Sequence, residues 1–156
     1  ECIETLASRF EQAGQQATLE APAEPAMIRA SEPALRRALI NVLYNAIQHA
    51  PPESVIEVVL RPSGNLWVLD VRDRGPGIPV KARASVFEMF ATSRPGGTGL
   101  GLFLARAAIK NCGGDICALG REGGGAVMRI RLPRVSSEDQ AVGARAEQRK
   151  DTPECH

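Results

Sequence analysis

Asn41-Val42-Leu43-Tyr44-Asn45-Ala46-Ile47-Gln48-His49 is the stretch from which the rest of the chain can be read. It lies inside the clearest amphipathic pattern in the sequence, which predicts a helix over 33–50. Leu35, Ala38, Leu39, Val42, Leu43, Ala46 and Ala50 recur at the spacing of one buried face. Asn41, Asn45 and His49 follow at i, i+4 and i+8, so they form a single polar row beside that face. Amides compete for backbone hydrogen bonds and are poor choices for a helix interior. Alone, the row reads as a solvated helix edge; beside an apolar stripe it also suits a polar wall that faces something other than water. The flanking segments decide between these.

Ser31 is placed to cap the helix, Pro33 fits its first turn, and Pro51-Pro52 ends it. Upstream, 1–14 reads as a helix with Ile3, Leu6, Ala7 and Phe10 on one face and Gly14 as its stop. Two short strands are expected at 17–21 and 26–30. Downstream, 54–61 and 66–71 form a hairpin across Pro62-Ser63-Gly64-Asn65. Its second strand runs into Asp73-Arg74-Gly75-Pro76-Gly77-Ile78-Pro79. A short helical segment is expected over 80–90, then a polar, glycine-rich loop over 91–98. Gly97-Thr98-Gly99-Leu100-Gly101-Leu102 opens a second helix to Asn111, and Gly113 suits its cap. A last hairpin, 115–119 and 126–132, turns at Gly123-Gly124-Gly125. From Arg134 the core pattern stops, and a disordered or weakly helical tail over 134–156 is expected beyond a single domain over 1–133. Hairpins interleaved with helices predict an α+β fold, a two-layer sandwich whose mixed, mostly antiparallel sheet carries its helices on one face.

The composition narrows the function. The 156 residues are 44% hydrophobic and 24% charged, and the formal net charge of +1 gives no footprint for nucleic acid or an anionic membrane. No apolar run is long enough to cross a bilayer. The first residue is Glu1, which reads as a piece of a longer protein. Cys2, Cys112, Cys117 and Cys155 make no Cys-x-x-Cys pair and only two histidines accompany them, so they are expected to be reduced and structural in a cytoplasmic setting. The Gly97–Gly101 segment could bring backbone amides to phosphate oxygens at a helix N-terminus. It is neither a P-loop nor a dinucleotide fingerprint.

These blocks together resemble the ATP-binding catalytic domain of sensor histidine kinases, in the superfamily shared with gyrase, a heat-shock chaperone and MutL, over about residues 1–133. Asn41-x-x-x-Asn45-Ala46-x-x-His49 looks like the N box and Asp73-x-Gly75-x-Gly77 the G1 box. Phe87-x-x-Phe90 looks like the F box and Gly97–Leu102 the G2 box, all in the family's order. The resemblance implies a Bergerat fold. It implies Asp73 as reader of the adenine amino group, Asn45 as the Mg²⁺ ligand, and Asn41 and His49 along the same wall near the phosphates. Gly75, Gly77 and Ile78, with Gly97, Thr98, Gly99, Leu100, Gly101 and Leu102, would wrap the nucleotide. The segment 91–96 resembles a short ATP lid in which Arg94 would approach the γ-phosphate, while Phe87 and Phe90 would anchor that lid by packing. Hydrolytic relatives carry a glutamate where Asn41 stands, so transfer to another nucleophile is implied rather than hydrolysis.

The acceptor histidine would belong to a dimerisation domain of the same parent protein, with a response regulator downstream. The fragment itself is expected to be monomeric and the parent homodimeric. The resemblance places the domain in the cytoplasm, in a parent that could be anchored in the bacterial inner membrane. A serine kinase, a slow ATPase and a non-catalytic nucleotide sensor are the alternatives. One departure stands out: Ala126 follows Gly125 where the family commonly has threonine, removing a hydroxyl near the adenine.

Overall fold

The computed structural model describes residues 1–91 and 98–135. Its elements run α1 (Cys2–Thr5), α2 (Ala7–Gln12), β1 (Gln16–Glu20), α3 (Glu32–His49), β2 (Val55–Ser63), β3 (Leu66–Arg72), two 3₁₀ turns at Val80–Ala82 and Ser85–Phe87, α4 (Gly101–Asn111), β4 (Asp115–Gly120) and β5 (Ala126–Pro133). The sheet order is β1-β2-β3-β5-β4, with β1 parallel to β2 and every other pairing antiparallel.

Alternation along the strands sorts the sheet into two faces. Ile56, Val58, Val71, Ile116, Ala118, Met128 and Ile130 point to the helices and join Ala38, Val42, Ala46, Ala105 and Ile109 in one core. Val42, Ile56, Ile109 and Ile130 have no exposed surface, so α3 and α4 are packed as one layer on one face of the sheet. The predicted two-layer arrangement is the observed one.

Several local expectations change. The first helix is two pieces, because Leu6 leaves helical geometry at φ −100, ψ 7 while its side chain stays buried. Residues 26–30 form no strand. Their backbone meets the sheet region through Val135 N–H to Met27 O at 3.1 Å, and Ala26-Met27-Ile28-Arg29-Ala30, with one β-branched residue, has too little strand preference to stand without a ladder partner. β2 continues through Pro62 to Ser63, so the turn shortens to Gly64-Asn65, with Gly64 at φ +58. Proline is tolerated there because β1 pairs with β2 only as far as Val59, so nothing on that side needs an N–H from Pro62. The 80–90 segment is two 3₁₀ turns rather than a helix. Ser31 occupies the cap position of α3 but makes no side-chain capping bond. The expected tail is outside the described residues from 136 onward.

The face away from the helices carries an ion-pair network centred on Asp70, a fully buried residue. Arg129 Nε donates to its Oδ1 at 2.7 Å and Nη2 to its Oδ2 at 2.8 Å, while Arg72 Nη2 reaches Oδ2 at 3.2 Å. Burial by itself pushes the carboxyl up, but the hydrogen bonds and charges of Arg129 and Arg72 outweigh it and hold Asp70 below the ordinary carboxylate range. A lowered folded-state pKa gives stability that is present above the unfolded value, near ~3.9, and is lost as pH falls through the folded one. Arg129→Met is therefore expected to cost about 3 kcal/mol at neutral pH. The gap to wild type, read from urea unfolding, should narrow below about pH 4; a gap independent of pH would assign the loss to packing.

Candidate functional site

A cleft of about 1270 Å³ opens between α3, the loop after β3 and the start of α4, with Ala126 and Met128 of β5 among its lining residues. One wall is the polar row. Asn41, Asn45 and His49 are each partly exposed and line the cleft, and their side chains make no hydrogen bond to any described residue. Eight residues of helix separate the ends of the row, about 12 Å at the α-helical rise.

The loop after β3 is fitted against the C-terminal end of α3. A Cβ on Gly75 would fall 2.6 Å from the His49 carbonyl oxygen, so only glycine lets the loop sit this close. Gln15 holds the same helix end from below, its Nε2 donating to the carbonyls of Ala50 at 2.8 Å and Ile47 at 3.1 Å.

Asp73, 3% exposed, stands at this end of the cleft. Its Oδ1 accepts from the N–H of Gly75 at 2.8 Å and of Ala126 at 3.3 Å, and its own N–H donates to Ala126 O at 3.0 Å. No donor from a described residue meets Oδ2. The strand that braces Asp73 comes close because Gly125 has φ +106 and no side chain; a Cβ there would lie 2.1 Å from Asp73 O.

At the opposite end, Gly101 begins α4 beside Asn41: a Cβ on it would be 3.8 Å from Asn41 Cγ. Thr98, Gly99, Gly101 and Leu102 line the cleft there, and Gly77 and Ile78 line it nearer Asp73. Two expected site residues do not. Gly75 lies behind Asp73 against α3, and Leu100 occupies the capping position of α4. Arg94 and Gly97 fall outside the described residues. Of the two phenylalanines expected to pack, only Phe87 does, 3% exposed beneath the Arg106 guanidinium at 5.6 Å. Phe90 is 69% exposed, and its backbone N–H bonds Gly99 O at 3.1 Å.

The cleft also has lining residues that motif spacing did not single out: Arg9, Gln12, Tyr44, Gln48 and Met128. Tyr44 and Gln48 could have been found, since they flank the polar row on the same helix. Arg9 and Gln12 arrive from α2 by tertiary packing alone.

The arrangement suits a ligand about as long as the row, offering hydrogen-bond donors at the Asp73 end and negative charge at the end where the start of α4 points its N–H groups. No group of three or more metal-ligating side chains occurs among the described residues. A cation here would take most of its ligands from the bound molecule and water, with Asn45 contributing one uncommitted amide oxygen. That donor is hard and suits Mg²⁺.

Comparison with known proteins gives a consistent picture. Residues 30–136 match the family of histidine kinase-, DNA gyrase B- and HSP90-like ATPases. The sensor protein KdpD of Escherichia coli is 35% identical over 125 residues, which cover 78% of this chain but 14% of KdpD. The structure of the mycobacterial sensor histidine kinase MprB superposes with a TM-score of 0.74 at 30% identity, covering 85% of this chain and 89% of that one. Full-length ShkA in complex with AMPPNP gives a TM-score of 0.76 at 26% identity, covering 87% of this chain and 29% of ShkA. The chain thus spans a small part of its longer relatives. No helix among the described residues is long and apolar enough to cross a membrane.

Proposed function

This chain belongs to the histidine kinase-, DNA gyrase B- and HSP90-like ATPase family, and we propose that it holds Mg²⁺-ATP and delivers the γ-phosphate to a histidine on a separate domain of its parent protein. It is an ATP-binding catalytic domain of the histidine kinase type; the acceptor, the metal and the roles of individual residues are the steps we add.

The observation that carries the choice of transfer over hydrolysis is the chemistry of the cleft at its Asn41 end. Among the described residues that line it, Asp73 is the only carboxylate, and it stands beside the other end of the row. Asn41 is an amide and cannot take a proton from water at neutral pH. ATP held here waits for a nucleophile brought from outside.

The chain's own residues then act by binding and positioning. Asp73 Oδ2 accepts from the adenine amino group while Oδ1 stays tied to the backbone. Met128 and Ile78 supply apolar surface for the base. The N–H groups at the start of α4 face the phosphates, and Asn41 and His49 line their path. Asn45 would hold Mg²⁺ through its amide oxygen, and the ion would supply neutralisation of charge on the phosphate oxygens. The acceptor histidine and a downstream response regulator complete the pathway we infer for the parent.

The test is to mix this chain with γ-labelled ATP, Mg²⁺ and the separately expressed upstream region of its parent. Label that is acid-labile and alkali-stable on that region is the expected result. An acid-stable phosphoserine would replace this reading with a serine kinase, and bound ATP without transfer would leave a nucleotide sensor.

A further inference from the structure

Among the described residues the motif positions bring little positive charge to the cleft, and Arg94, expected near the γ-phosphate, lies outside them. A triphosphate carries several negative charges, and phosphate sites usually meet them with guanidinium or ammonium groups as well as backbone amides. Asn41, Asn45 and Gln48 are neutral. Among the described residues that line the cleft, Arg9 is the only arginine or lysine.

Arg9 stands on α2, upstream of the 30–136 segment that matches the family. Its guanidinium lies over the Tyr44 ring, with Cζ 5.8 Å from the centroid. Arg9, Tyr44 and Asn45 all line the cleft, so the cation held over Tyr44 stands along the same cavity as the polar row. It forms no ion pair with any described residue. Stacking on an aromatic face leaves the N–H edge of a guanidinium free to donate and restricts its rotamers before a ligand arrives. Gln12, one turn further along α2, lines the same side of the cleft.

We propose that Arg9 is a phosphate-binding residue of this site: held on Tyr44, it donates to the triphosphate of the bound nucleotide from the α2 side. The proposal rests on the ATP reading above. It makes the N-terminal helical pieces part of the nucleotide site and not only a cover for the core.

Arg9 is exposed at the mouth of the cleft, so its replacement should leave the fold intact, which an unchanged melting temperature would verify. ATP and adenosine are each titrated into wild type, Arg9→Ala and Arg9→Lys and followed by protein NMR. Arg9→Ala should weaken ATP about tenfold, the scale of one charge-assisted contact, leave adenosine unchanged and flatten the salt dependence of ATP binding. Arg9→Lys should recover part of the loss. Equal weakening of ATP and adenosine, or no change for ATP, would overturn the proposal. A wild type that fails to bind ATP overturns it together with the reading it rests on. A wild type that binds ATP but transfers nothing to the upstream region removes only the histidine kinase step, and the ATP-to-adenosine ratio still decides the role of Arg9.

Discussion

Asp73→Asn is expected to lower ATP affinity about a hundredfold while leaving the melting temperature close to that of wild type. The substitution keeps the shape of the side chain. Its remaining oxygen can take the place of Oδ1 and go on accepting from Gly75 and Ala126, whose N–H groups lie 2.8 and 3.3 Å away. The new amide nitrogen then faces the cleft where Oδ2 was. A donor meets the adenine amino group, itself a donor, and the pairing fails. Inosine triphosphate presents a carbonyl oxygen at that position, so the variant should discriminate against it less than wild type does. Asp73→Ala would lose the scaffold bonds as well and confuse the two effects. Isothermal titration with both nucleotides is the measurement; an Asn variant that binds ATP like wild type would remove Asp73 as the adenine reader.

What could be read in advance follows from how local each signal is. The face of α3 was legible because a 3.6-residue period writes its own burial, and Ala38, Val42 and Ala46 are buried as that period requires. The positions of Asp73 and Gly125 were legible through short-range motifs, though not the reason for them. Gly125 is needed because the backbone of β5 closes on Asp73 O, a contact between residues 52 apart in sequence. Ala126 lacks the threonine hydroxyl that the family commonly has, and the bond it makes to Asp73 Oδ1 comes from its backbone N–H.

The illegible parts were those set by neighbours. Residues 26–30 follow the Pro25 break and read as a strand, but they have no ladder to join. Phe87 and Phe90 look alike in the motif, yet Phe90, at φ +65, turns away from the core into which Phe87 packs. Arg9 carries no motif at all; only the packing of α2 beside Tyr44 reveals it.

Asn45→Ala should have the second large effect, and its signature differs from that of Asp73. Asn45 is the middle member of the row, and its amide oxygen is not used by any described residue. If it holds Mg²⁺, removing it leaves the adenine contacts intact but loosens the ion and the phosphates it orders. Wild type should bind ATP more tightly with Mg²⁺ than with EDTA, and the variant should lose that difference while matching wild type in EDTA. Phosphotransfer to the upstream histidine region should fall roughly a hundredfold to a thousandfold, as when one preorganised contact to developing charge is removed. Asn45→Asp retains a hard oxygen at the same place and should recover part of the Mg²⁺ dependence. Equal losses in Mg²⁺ and in EDTA would show that Asn45 supports the shape of the wall and not the metal. That outcome would transfer the ion's ligation to groups on the nucleotide and water alone, because the cleft's one described carboxylate, Asp73, is committed at the end of the row nearest His49.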